Sequence, residues 1–233
     1  MTRGVAGGIF LGVFLFTGGA PATAFNLLED GQPYFGLSSH IVSMAAANIQ
    51  ANRAFTVAPF IDESAEVNTD IGWGLTGAVG WLYDDNWRIE AELGHRQLTL
   101  SEVTSPGNRS EARGDWGLST FFLNVAKDFR GNSVITPYIG VGAGVMLHQF
   151  SLNAFVPPNQ SLTAQSLTEK FDITPAYQFM AGVNLEVAED FDIVMGYRFV
   201  GTLEPDYDIL TFDRLDIHSF EVGFKYYFED YMN

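Results

Sequence analysis

Large apolar residues alternate with small, polar or charged ones along eight stretches of the chain. The clearest stretch is Leu215 to Phe228. There Phe220, Val222, Phe224, Tyr226 and Phe228 fall on one face, and Ser219, Glu221, Gly223, Lys225 and Tyr227 on the other. A period of two marks a β-strand that separates two environments. The same alternation predicts strands at about 32–41, 70–83, 87–100, 115–129, 134–150, 173–187, 191–203 and 215–228. Glycines and charges share a face in strand after strand, as Arg88, Glu90 and Glu92 do opposite Trp87, Ile89, Ala91 and Leu93. Strand four has the least regular phase, because Phe121 and Phe122 are adjacent; Phe121, Leu123 and Val125 are placed outward and Asn124 inward.

The connections alternate in length. Asp84–Asn86, Arg130–Ser133 and Ala188–Asp190 read as tight turns, whereas Met44–Thr69, Ser101–Gly114, Ser151–Asp172 and Glu204–Asp213 read as long loops. Up-and-down connectivity then gathers the turns at one end and the long loops at the other. A soluble eight-stranded barrel shows water a polar exterior. Here the aromatic face is the broad one and the other face carries glycine and charge, which predicts an all-β, eight-stranded antiparallel up-and-down transmembrane β-barrel. Strands of about 13 residues suffice to cross an apolar band at a tilt of about 45°. Trp81, Tyr83, Trp87, Phe129, Phe191 and Phe228 cluster by the short turns, with Trp73, Trp116 and Tyr177 near the long loops, as two interfacial girdles would require.

The N-terminus changes the picture of location. Arg3, an apolar stretch from Val5 to Phe16 and the small-x-small site Ala22-Thr23-Ala24 have the layout of a cleaved secretory signal peptide over residues 1–24, leaving a barrel over 25–233. Charge excludes one class of partner. Lys and Arg total 12 against 28 Asp and Glu, a formal net charge of -16, so there is no basic footprint for nucleic acid. Cysteine is absent, which removes disulfides and thiolate metal sites.

The segments Gly80–Leu93, Thr136–Gly144 and Phe220–Phe228 resemble landmarks of the small outer-membrane β-barrel surface antigens, often labelled the porin family and related to the Opa and OmpA-like barrels. The resemblance implies an integral protein of the Gram-negative cell outer membrane, exported by its signal peptide. It implies a non-enzymatic surface antigen, adhesin-like or structural protein, whose four long extracellular loops meet host or environmental ligands. The expected partners are outer-membrane lipid and lipopolysaccharide, and the barrel assembly machinery during insertion; the expected state is a monomer. Glu221, Gly223, Tyr226 and Phe228 are similar to the signal that machinery reads, although Glu229 to Asn233 follow the final aromatic. Two alternatives stay open: a narrow diffusion channel and a lipid-modifying outer-membrane enzyme.

The candidate chemistry is mostly interior. Arg88, Glu90, Glu92 and Arg96 form an inward row that joins Glu186, Asp192, Arg198, Glu221 and Lys225 in an expected ionic network. Buried charges persist only when paired and hydrogen-bonded, and an eight-stranded barrel is just wide enough for its own side chains. The network is therefore read as a plug, with a gated polar pore as the alternative. His40, His95, His148 and His218 sit on four strands and make no metal-ligand pattern. His218 and Ser219 are adjacent in a strand and so point oppositely. Glu204, Asp206, Asp208, Asp213 and Asp216 read as a solvated acidic loop, with collection of divalent cations at the lipopolysaccharide surface as the alternative. Gly140, Gly142 and Gly144 lie mid-strand, unlike a phosphate loop. No cofactor is expected.

Overall fold

A computed structural model of the chain describes residues 31–51, 65–83, 86–105, 108–156, 167–203, 206–207, 210–212 and 214–228. The expected signal peptide, the tail after Phe228 and half of the acidic 204–213 stretch, Glu204, Asp208 and Asp213 included, lie outside these residues. The strands are β1 (Gln32–Met44), β2 (Ala47–Ala51), β3 (Ala65–Thr69), β4 (Gly72–Leu82), β5 (Trp87–Ser105), β6 (Asn108–Asp128), β7 (Ile135–Val156), β8 (Leu167–Ala188), β9 (Phe191–Thr202), β10 (Asp206–Tyr207), β11 (Leu210–Phe212) and β12 (Asp216–Tyr227).

Eight of them form a closed antiparallel ring in the order β1, β4, β5, β6, β7, β8, β9, β12, with β12 returning to β1 through Tyr34↔Tyr227 to Met44↔Ile217. Closure leaves no sheet edge along the wall, so every backbone donor and acceptor there has a neighbouring strand. Side chains alternate across that wall as the pattern requires. Trp73, Leu123 and Phe220 stand outside, 54%, 59% and 67% exposed, while Arg88, Glu92 and Asn124 are buried inside. One short turn shows its chemistry plainly: Asn86 adopts φ of 64° and donates its backbone N–H to the Tyr83 carbonyl at 2.8 Å. Asn is among the few residues that tolerate this left-handed region.

The long connections are less loop-like than the sequence suggests. β5 and β6 run as a continuous ladder to Ser105↔Asn108, β7 reaches Val156, and β8 starts at Leu167. The first and last long connections contain β2, β3, β10 and β11, and β2 bridges β3 and β11 above β1 and β12. Polar composition ends the lipid-facing pattern, but it does not end backbone pairing. Register shifts mark the change: they fall at Asn68/Thr69, Leu100/Glu102, Arg113/Gly114 and Phe150/Leu152, close to where the alternation stops. Bulges of this kind bend a strand and re-aim its side chains. Beyond them the wall continues as a collar at the long-loop end.

Candidate functional site: the barrel interior

Two pairs of adjacent strands, β5 with β6 and β9 with β12, supply the centre of the interior. β5 projects Arg88, Glu90 and Glu92 inward at every second position, β6 opposes them with Asn124 and Asp128, and β9 and β12 add Asp192, Arg198, Glu221 and Lys225. All of these side chains are buried.

They sort into two linked groups. Nearer the short turns, Arg88 reaches Asp128 through Nε at 2.9 Å and Glu90 through Nη1 at 2.5 Å, and its guanidinium lies 5.0 Å from the Tyr138 ring centroid. The Tyr34 hydroxyl donates to Glu90 and also accepts from Arg88. Further along, Arg198 holds Glu92 at 2.5 Å and Glu221 at 3.0 Å, and Tyr138 donates to Glu221 at 2.8 Å. Asn124 donates to both Glu90 and Glu92, and so joins the groups, while Gln178 donates to the Asn124 oxygen at 2.6 Å. Lys225 donates to Asn184 at 3.1 Å between the rings of Tyr34 and Tyr138, and Asp192 accepts from Tyr227 at 3.0 Å. Cation–π contact and amide donors thus supplement the carboxylates in a space where each unpaired charge would cost several kcal/mol.

Two members of the expected network are placed otherwise. Glu186 is exposed rather than interior. It is the last in-register position of β8, opposite Asp192 and next to the Glu189–Asp190 turn, so its carboxylate stands at the mouth of the barrel, where water reaches it. Arg96 is inward and fully buried, but it donates to Thr120 Oγ1 at 3.2 Å, and its Nε and Nη2 have no hydrogen-bond partner among the described residues. Asp128, Tyr34, Asn184 and Gln178 belong to the network although none carries an obvious motif; Asp128 shares the inward parity of Asn124, which was the available signal.

The long-loop half of the interior differs in kind. Leu98, Trp116, Leu118, Phe122, Met146 and Ile217 form one apolar cluster with essentially no exposure, extended by Val42, Met44, Leu100, Val200 and Leu215. Trp116, expected on the outer girdle, is therefore an interior residue. Phe122 and Asn124 are inward, and stepping back by twos brings Leu118 and Trp116 to the same face. A cavity of about 30 Å³ remains among the polar groups, lined in part by Tyr34, Glu90, Tyr138, Arg198, Glu221 and Lys225. That is room for one or two waters.

On the outer wall His95 Nδ1 and Ser119 Oγ lie 3.0 Å apart, but among the described residues no carboxylate contacts that imidazole, whose other neighbour is the Trp73 ring. His218 faces outward and Ser219 inward. Ser43 stands opposite His218 in the β1–β12 register, but His218 Nδ1 pairs with the Tyr197 hydroxyl at 2.5 Å and no hydrogen bond joins it to Ser43. Among the described residues no group of three or more His, Asp or Glu could hold a metal ion, and no helix is long and apolar enough to cross a membrane.

A closed antiparallel barrel with an apolar aromatic exterior and a charged, filled interior defines an integral outer-membrane protein. Residues 12–228 match the outer membrane protein beta-barrel domain, and the chain belongs to that family. It is an integral protein of the Gram-negative outer membrane. An outer membrane protein of Gluconacetobacter diazotrophicus is 23% identical over 236 residues, covering 79% of this chain and 61% of that protein. The chain thus spans about three fifths of the length of that curated relative. Among solved structures, the outer membrane protease OmpT from Escherichia coli is similar in fold, with a TM-score of 0.54 at 8% identity over 85% of this chain and 97% of that one. Neisserial surface protein A gives a TM-score of 0.49 at 16% identity over 84% and 97%.

Proposed function

We propose that the protein is a sealed, non-enzymatic barrel that serves the outer membrane structurally and presents its long-loop end to external partners. The observation that carries this reading is the two-layer filling of the interior. An ion crossing the barrel would have to break the Arg88 and Arg198 pairs and then enter the apolar layer around Trp116 and Leu118. Neither step offers hydration, and desolvating a charge costs several kcal/mol. The extended β5–β6 and β7–β8 ladders support the second half of the reading, because they would hold the loop tips on a braced collar.

The same reading takes Glu221, Gly223, Tyr226 and Phe228 as the signal for the assembly machinery. Two of these residues also have work in the folded barrel. Glu221 sits in the ionic network, and a Cβ on Gly223 would lie 2.2 Å from Ser38 Oγ and 2.3 Å from the Leu37 carbonyl.

Orientation is tested on intact cells. Added protease should cut within Met44–Thr69, Ser101–Gly114, Ser151–Asp172 or Glu204–Asp213 and spare the Arg130–Ser133 turn until the envelope is breached. Cleavage at that turn in sealed cells would overturn the topology.

A further inference from the structure

The outer face of β8, β9 and β12 carries a continuous slab of rings. Tyr177, Phe179 and Phe199 touch one another with centroids 5.9 to 6.3 Å apart. Phe199 meets His218 at 5.3 Å, and Tyr197 links His218 to Phe220. Phe179, Phe199 and His218 share one rung of the sheet. The ten residues from His218 to Phe228, at about 3.3 Å each and tilted by about 45°, put that rung about 23 Å from the short-turn girdle. That is close to the height of a barrel's apolar band. The slab therefore ends at the membrane interface on the long-loop side.

Arg214 stands above it. The rung over His218 is Tyr177–Gly201–Asp216, and the Tyr177 ring lies across Gly201, where an added Cβ would meet it at 2.4 Å. Arg214 Nη2 contacts Asp216 Oδ2 at 2.9 Å, and its side chain is 57% exposed. Asp216 first, and Tyr177 after it, hold the guanidinium above its ordinary pKa. Among the described side chains it is the one Lys or Arg on the outside at the long-loop end; Lys127 and Arg130 lie by the short turns, and Arg88, Arg96, Arg198 and Lys225 are interior. A guanidinium has five donors in a planar fork suited to phosphate, and the Asp216 contact leaves most of them available.

We propose that this face binds a phosphorylated lipid of the outer leaflet, with the phosphate on Arg214 and the Tyr177 hydroxyl and the acyl chains over Phe179, Phe199 and Phe220. The Tyr197–His218 pair lies at the depth of the linkage between headgroup and chains, where a polar pair finds hydrogen-bonding partners that hydrocarbon lacks. Asp216 opposes the phosphate by charge and so limits affinity. The assignment rests on the long-loop end facing outward, which the protease experiment tests separately.

The full chain, folded in detergent, is loaded with bisphosphorylated lipid A or its dephosphorylated form, and retained lipid is read by native mass spectrometry. The wild type should retain the phosphorylated form about tenfold better, the factor that one charge-assisted hydrogen bond supplies. Arg214→Ala should abolish that preference, and Asp216→Asn should increase it. Millimolar inorganic phosphate should displace little lipid, because it gains nothing from the aromatic slab. Equal preference in wild type and Arg214→Ala, or weaker retention in Asp216→Asn, would overturn the site. Full displacement by inorganic phosphate would reduce it to a phosphate contact and overturn the lipid assignment.

Discussion

Replacing Arg88 by alanine should lower the unfolding free energy by about 3–5 kcal/mol, the cost of leaving buried charge uncompensated. Arg88 serves Asp128 and Glu90 at once, and both carboxylates are buried with it. Truncation strands two anions beside the Tyr34 hydroxyl and the Tyr138 ring, with space for little more than a water or two nearby. Urea unfolding in lipid vesicles, followed by tryptophan fluorescence, measures the loss. Arg88→Lys should recover only part of it, since a single ammonium lacks the fork that spans both partners. A loss below about 1 kcal/mol, as for an exposed pair, would mean that water reaches the network freely.

Trp116→Ala should cost about as much, roughly 3–5 kcal/mol, for a different reason. The side chain has no exposure and lies in the apolar layer with Leu98 and Leu118. Removing it leaves a cavity bounded by a hydrogen-bonded wall that cannot collapse. The same urea titration checks it, and a loss under about 1 kcal/mol would return Trp116 to the outer girdle. Arg88 pairs with Ala126, ten residues along β6 from Trp116, so the two sites lie about 33 Å apart along the strand. Their losses should add to within about 0.5 kcal/mol in the double variant.

Much of the wall was legible because a barrel strand displays its two environments at every residue. Trp87 and Ile89 against Arg88 and Glu90 states the inside and the outside directly, and the ring of eight strands follows from repeating that contrast. The pattern carries less information where the environments stop differing. Past Leu100 and from Arg113 back to Asn108 both faces are largely polar, and Ser151–Val156 puts apolar residues on both faces, so the ladders of β5 to β8 continue unseen and only the register shifts mark the boundary. The interior charges could be read singly but not as pairs. Parity places Arg88 and Asp128 on the inner face, yet only the β5–β6 register brings residue 88 opposite 126 and within reach of 128. Glu186 fails for a different reason: parity does not say how near a position is to the mouth, and Glu186 stands on the last in-register rung before the 189–190 turn. The apolar layer was hidden by expectation more than by physics. Leu98 and Leu100 share the parity of Arg96, as Leu118 and Trp116 share that of Asn124, and both pairs turn inward.

The central claim is that the barrel is sealed by this filling, and planar-bilayer conductance of the folded protein tests it most directly. The account predicts no steady current from the wild type across a range of voltages, and none that scales with the concentration of permeant salt. Arg88→Ala should be less stable without becoming a defined pore, because the Trp116 layer still closes the tube. Steady, ion-selective current in the wild type, widened by Arg88→Ala at unchanged stability, would contradict the account and make the protein a channel.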